Sequence, residues 1–354
     1  MTDSGHPPEN SLPVIPGHEH PTRSGFRNIF FGPNGIRAGW RCLMFFVLTT
    51  VISIAIHIFR KFVLHSPSRD IHAAIEPLSA AIREALAFLI VALAALIMSR
   101  MEREKWEHYG LPLWRRRNLF FGLVWGFATL SLVMGALWMV GSYRIDGLAL
   151  SGTAALRYAA LWAVVFLFVG LFEEFSLRGY PLYTLASGMG FWPAALLTSA
   201  LFMAGHIRNP GETWLGLTYI FVDGIFLCFM VWRTGDLWFA VGTHASWDWG
   251  LTFFYSVPNS GIAAVGNLFS VRVQGPSWLS GGNAGPEGSA INLAFEALYV
   301  VVFASIYKRR QWMGMNDHKR PPDAPPVALG SVGQDFSPDS PRDPGSPDIG
   351  LGGR

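Results

Sequence analysis

Charge is scarce in this sequence: Asp, Glu, Lys and Arg make up 14% of its 354 residues, where soluble chains carry about a quarter. An ordinary water-facing globular surface is thereby excluded. Cysteine is scarcer still. Cys42 and Cys228 both fall in apolar runs, with the spacing of neither a metal knuckle nor a disulfide framework, and so say nothing about redox compartment. The net charge is only +3 and the basic residues sit in short clusters, so the chain lacks the basic stripe that nucleic-acid binding needs. Residues 1–25 are rich in Pro, His and Ser and lack the apolar core of a secretory signal. Insertion is therefore expected to rely on the first transmembrane helix. No internal repeat is found.

Apolar residues are what the chain has in abundance. Hydrophobic side chains make up 51% of it, and the mean hydropathy is +0.32 although polar ends dilute it. Crossing a bilayer takes about 20 apolar residues. By that rule the sequence predicts an all-α, polytopic transmembrane bundle of about eight helices, near 40–59, 79–99, 119–141, 161–187, 191–209, 213–232, 236–255 and 291–307. Gly179, Pro181 and Pro193 are expected to kink or end helices, and Arg83 and Glu84 weaken the second span.

Basic loops stay on the cytoplasmic side. Arg37 and Arg41, the cluster from Arg100 to Arg117, and Lys308 to Arg310 share one side if there are eight spans. Arg60, Lys61 and Arg69 oppose that scheme. Both termini are expected in the cytoplasm and the chain in the cell membrane. The stretch 256–290, rich in Gly, Ser and Asn, predicts a long external connection without its own core. Residues 316–354 are too rich in Pro, Asp, Gly and Ser to bury an apolar core and predict disorder.

Within the apolar runs, ionisable residues are the informative ones, because a charge at bilayer depth costs at least ~2.5–3.5 kcal/mol on insertion scales. Three places carry them. Glu173, Glu174 and Arg178 lie in the fourth run. Glu174 and Arg178 are four apart with the acid first, which suits an ion pair on one helical face. Glu173, about 100° round the helix, lacks that partner. Phe202 and His206 are also four apart, in the fifth run. His244 and Asp248 repeat the spacing in the seventh, where the acid can orient the imidazole. At ~1.5 Å rise per residue, Glu173 and His206 lie roughly 20 Å deep and His244 and Asp248 roughly 12–18 Å deep. One layer of the membrane can hold all of them, provided the fourth helix continues past Pro181 to about Ser187.

Glu-Glu-x-x-x-Arg, then Phe-x-x-x-His, then His-x-x-x-Asp resembles the motif set of the CPBP family, which contains the CAAX prenyl proteases and bacteriocin-processing or immunity relatives. The resemblance covers residues 160–255, and Asn34 to Arg41 resembles the family's entry segment. It implies a membrane domain over 37–310 between polar tails at 1–36 and 311–354. It also implies an intramembrane endopeptidase acting on a membrane-associated peptide of CAAX or lipidated type. In that reading Glu173 and His206 activate a water, His244 and Asp248 stabilise the oxyanion, and Glu174, Arg178 and Phe202 support them. The family's prenyl proteases carry Asn at the last position, whereas this chain has Asp248. An ionised Asp cannot donate to an oxyanion, so Asp248 is expected either to be protonated or to hold His244.

Glu173, His206 and His244 would also make an acceptable zinc shell with one open position. His-Glu-x-x-His is absent, and metal dependence stays open. Two further readings remain. One keeps the fold without the reaction, as a membrane scaffold or immunity protein binding a partner peptide. The other is a proton-coupled transporter using Glu173, Glu174, Asp223 and His206 as a relay. The lipid bilayer and a membrane-associated peptide are the expected partners, and nucleic acid is not.

Overall fold

The computed structural model describes residues 25–32, 35–62 and 75–308. The long apolar runs are helical in it: α1 (Ala38–Phe62), α2 (Pro77–Glu102), α3 (Arg117–Met139), α4 (Gly152–Glu174), α5 (Tyr180–Met189), α6 (Phe191–His206), α7 (Trp214–Thr234), α8 (Trp238–Trp249) and α9 (Ala290–Ile306). Among the described residues five helical stretches are long and apolar enough to cross a membrane: α1, α2, α3, the 38-residue run Gly152–Met189 that contains α4 and α5, and α7. The chain is thus mostly helical and reads as a multi-pass membrane protein. A count of eight crossings does not follow, because α6 has 16 residues, α8 has 12 and α9 has 17. The expected disordered tail, Arg69, Arg309 and Arg310 lie outside the described residues, as does Asn34.

Lipid-facing and protein-facing sides separate cleanly on α1. Val47, Val51, Ile54 and Phe59 are all more than half exposed, as apolar side chains turned to hydrocarbon would be. On its inner side Phe45 stacks on Tyr180 of α5. Arg41 ties the same helix down. Its guanidinium pairs with Glu102 at the end of α2 (2.9 Å) and donates to Ser187 Oγ of α5 (2.9 Å). Tyr109 and Tyr180 donate their phenol protons to the same Glu102 carboxylate. Burial and then the charge of Glu102 push the Tyr109 phenol up, so it remains a donor there.

Small residues set the closest packing. Association of helices in lipid depends on close backbone approach, which glycine permits. Gly122 and Gly126 of α3 lie on Gly242 and Thr243 of α8, so that a Cβ at Gly122 would meet the Phe239 carbonyl and one at Gly242 the Leu119 carbonyl. On the other side of α8, a Cβ at Gly170 of α4 would come within 2.9 Å of the Val241 carbonyl. Helix α8 is therefore held between α3 and α4, with its backbone position fixed from both sides.

The stretch 256–290, expected as a long connection without its own core, carries a strand and packs onto the helices. Strand β2 (Phe269–Val273) pairs antiparallel with β1 (Tyr143–Leu148), with Arg272 bidentate on Asp146. Trp162 of α4 donates to the Val265 carbonyl (3.0 Å), and Leu268 and Ala264 pack on Trp162, Phe166 and Phe253. The segment is a folded cap over one end of the helices.

Replacing Gly122 or Gly242 by leucine should cost at least about 1–3 kcal/mol, because the added atoms meet backbone that cannot move aside. Thermal unfolding of the detergent-solubilised protein should show a clear drop for either variant. Gly135→Ala, which meets nothing within 4 Å, should melt as the parent does.

Candidate functional site

Pro181 lacks an N–H, and its ring clashes with the carbonyl four residues back in a regular helix. The chain accommodates it without ending the helix: a π-helical turn, Phe175–Gly179, separates α4 from α5. Glu173 and Glu174 occupy the last turn before this widening. A second π turn, Gly250–Phe254, follows Asp248 at the end of α8. Single π turns of this kind occur often at functional sites.

Glu174 is fully buried, and so is Arg178. Arg178 NH1 donates to Glu174 Oε1 (3.2 Å), as the spacing predicts. The same oxygen also accepts from His244 Nδ1 of α8, at 2.8 Å. This is the contact that spacing within one helix could not reveal, and it makes Glu174 the residue that orients His244. The other imidazole nitrogen, Nε2, stands 3.5 Å from both Glu173 Oε2 and Asp248 Oδ2. An N–H on either side of the ring thus finds a carboxylate. Asp248 faces the same nitrogen as Glu173.

Phe202 fills the space between these groups and α6. The Arg178 guanidinium lies over its ring at 4.2 Å, a cation–π contact that covers a charge with an otherwise unsatisfied Nε and NH2. The His206 ring packs edge-on at 4.7 Å and the His244 ring at 6.2 Å. His206 Nδ1 donates to the Phe202 carbonyl (2.8 Å). That bond commits the Nδ1 proton and leaves Nε2 as the nitrogen free to act.

Glu173, Phe202, His206, His244 and Asp248 line a single cavity of about 420 Å³. Glu174 and Arg178 stand behind its wall. The Arg83–Glu84 pair (2.9 Å) also faces it, so these residues border a polar interior. Three more carboxylates line it: Asp223, Glu287 and Glu296. Of these, Glu296 carried a readable signal as a lone acid inside an apolar run. Glu287 carried none, since it sits in the Gly-rich stretch and is brought in by the cap, where it accepts from the Ser260 backbone and hydroxyl.

A metal fits poorly with the side chains as they stand. Among the described residues no group of three or more His, Cys, Asp or Glu side chains is disposed to hold an ion. His244 already uses Nδ1 on Glu174 and turns Nε2 to two carboxylates.

Taken together, the fold and the cavity define a helical membrane protein with a compensated Glu/His/Asp cluster lining one cavity. Residues 155–250, from early α4 into the turn after α8, match the family described as Type II CAAX prenyl endopeptidase Rce1-like, and form a domain of that family. The matched segment contains all seven motif residues from Glu173 to Asp248. No curated protein matches the chain.

Removing Glu174 should be costly for stability. Glu174→Ala leaves Arg178 buried without its partner, worth about 3–5 kcal/mol, and should lower the melting temperature sharply. The double variant Glu174→Leu/Arg178→Met, which removes both charges, should recover most of that loss. A double variant as unstable as the single one would show that the pair is not the origin of the effect.

Proposed function

We propose that this chain is an intramembrane endopeptidase in which Glu173 and His206 activate a water for attack on a peptide bond. The observation that carries the reading is that four ionisable side chains from three helices, Glu173, His206, His244 and Asp248, line one cavity while Glu174 holds His244 from behind. The family match over 155–250 supports a protease of membrane-associated peptides.

In the proposed reaction a water between Glu173 and His206 Nε2 gives its proton to the Glu173 carboxylate, and the hydroxide attacks the carbonyl carbon. Negative charge develops on the carbonyl oxygen, and a donor already in place there stabilises it without reorganisation. His244 supplies that donor through Nε2–H. When the C–N bond breaks, the leaving amine takes the proton that Glu173 had accepted. Asp248 shares the His244 Nε2 side with Glu173 and balances imidazolium charge; because Glu174 performs the orienting, Asp248 is not needed for it. The substrate is a membrane-associated peptide, CAAX-type or otherwise lipidated, and the apolar part of the cavity wall, with Val165, Phe166 and Leu201, suits it.

The proposed topology has α6, α8 and α9 completing eight crossings, with both termini cytoplasmic in the cell membrane. The domain bounds are those expected from the sequence, 37–310 between polar tails. The basic residues Arg100 to Arg117 and Lys308 on one side support that orientation.

Cleavage of a quenched membrane-peptide library by the purified protein tests the reading, run with and without chelator. Glu173→Ala and His206→Ala should each lower the rate by about 10²–10⁴-fold, the usual contribution of a positioned acid–base group. Asp248→Asn should keep activity within about tenfold, since an amide can still donate. Wild-type protein that cleaves nothing, or alanine variants that cleave as well as wild type, would favour the scaffold or transporter readings. A dead Asp248→Asn would return the orienting role to that residue.

A further inference from the structure

The proposed hydrolysis leaves the far side of the cavity unused, and the groups there are costly ones. Asp223 of α7 and Glu296 of α9 both line it. Glu296 is 2% exposed, and among the described residues its Oε1 has no hydrogen-bond partner. Among the described residues neither acid has a cation within ion-pair distance. Each is close enough to its neighbours for charge to be felt: Glu296 feels Asp223, and Asp223 feels His244. The two acids thus form one chamber continuous with the motif residues. Of the basic groups, Arg83, His206 and His244 line the cavity and Arg178 stands behind its wall; Glu84, Glu173, Asp223, Asp248, Glu287 and Glu296 line it with them. Glu174 takes the direct bonds of Arg178 and His244, so that among the described residues neither cation stands within ion-pair distance of Asp223 or Glu296.

The rest of the chamber is aromatic and has donors to spare. Tyr219 and Trp247 stack at 6.3 Å and both line the cavity. Trp247 is 8% exposed with its indole N–H unpartnered, and the Trp125 N–H, also on the cavity, is unpartnered too. Tyr299 presents its ring there, its hydroxyl being spent on the Thr129 carbonyl. An aliphatic stem ending in a cation is the shape this lining suits: the stem lies on the rings, the cation meets the acids and the ring faces, and the indole N–H groups await backbone carbonyls.

We propose that Asp223 and Glu296 form a specificity subsite that takes a lysine or arginine side chain of the substrate peptide. This deepens the endopeptidase reading and rests on it for the word substrate, but the binding itself does not require turnover. The test uses the full chain in nanodiscs and fluorescent peptides in which one lysine is moved along an otherwise neutral sequence, each compared with its norleucine counterpart. Binding is read by anisotropy and cleavage by mass spectrometry on the same peptides. At one lysine position or more, affinity should exceed the norleucine version by about tenfold, as expected for a desolvated charge contact. Glu296→Gln and Asp223→Asn, which keep shape and remove charge, should each bring that ratio towards one. Equal affinity for lysine and norleucine peptides at every position would overturn the subsite, as would a lysine preference that survives both variants. A lysine preference in binding with no peptide cleaved would leave the subsite standing and count against the endopeptidase reading alone.

Discussion

A carboxylate with no access to water must be neutralised by its neighbours, and Glu174 is that carboxylate here. Its Oε1 receives Arg178 from its own helix and His244 from α8. Two helices are thereby locked in register at the depth where the ionisable groups collect. Arg178 in turn is covered by Phe202 of α6, which brings His206 beside it. Removing the charge of Glu174 would loosen each of these placements in sequence, since an unpaired buried ion costs several kcal/mol.

The surrounding packing is arranged so that this register is possible. Helix α8 approaches α3 and α4 closely because Gly122, Gly126 and Gly170 leave room for its backbone. Bulkier residues there would hold His244 away from Glu174. The π turn after Glu174 serves the same end: it carries the helix past Pro181 without a break, so Arg178 stays on the face that Glu174 occupies. The cap formed by 256–290 lines part of the cavity and adds Glu287 to its wall.

Much of this was legible in the sequence, for identifiable reasons. Apolar runs declare helices because hydrocarbon leaves the backbone few other ways to satisfy its hydrogen bonds. The Glu174–Arg178 pair was legible because four residues make one turn. The bond from Glu174 to His244 was not, because it depends on how two helices pack across 70 residues of chain. The spacing leaves Asp248 either protonated or holding His244, and cannot show that Glu174 also bonds that imidazole, on its other nitrogen. The cap escaped notice for a similar reason: β2 finds its partner in β1, more than a hundred residues earlier, and a Gly-rich composition gives no local sign of it. Pro181 and Gly179 announced a disturbance, but whether it would be a break or a widened turn was a matter of the surrounding packing.

The central claim is that Glu173 activates a water that becomes part of the product. Cleavage of a membrane peptide in ¹⁸O-enriched water, followed by mass spectrometry of the new C-terminal carboxylate, tests it most directly. The account predicts one labelled oxygen in the wild-type product and loss of that product in Glu173→Gln. Labelled product formed at the wild-type rate by Glu173→Gln, or no cleavage at all by the wild type, would contradict it.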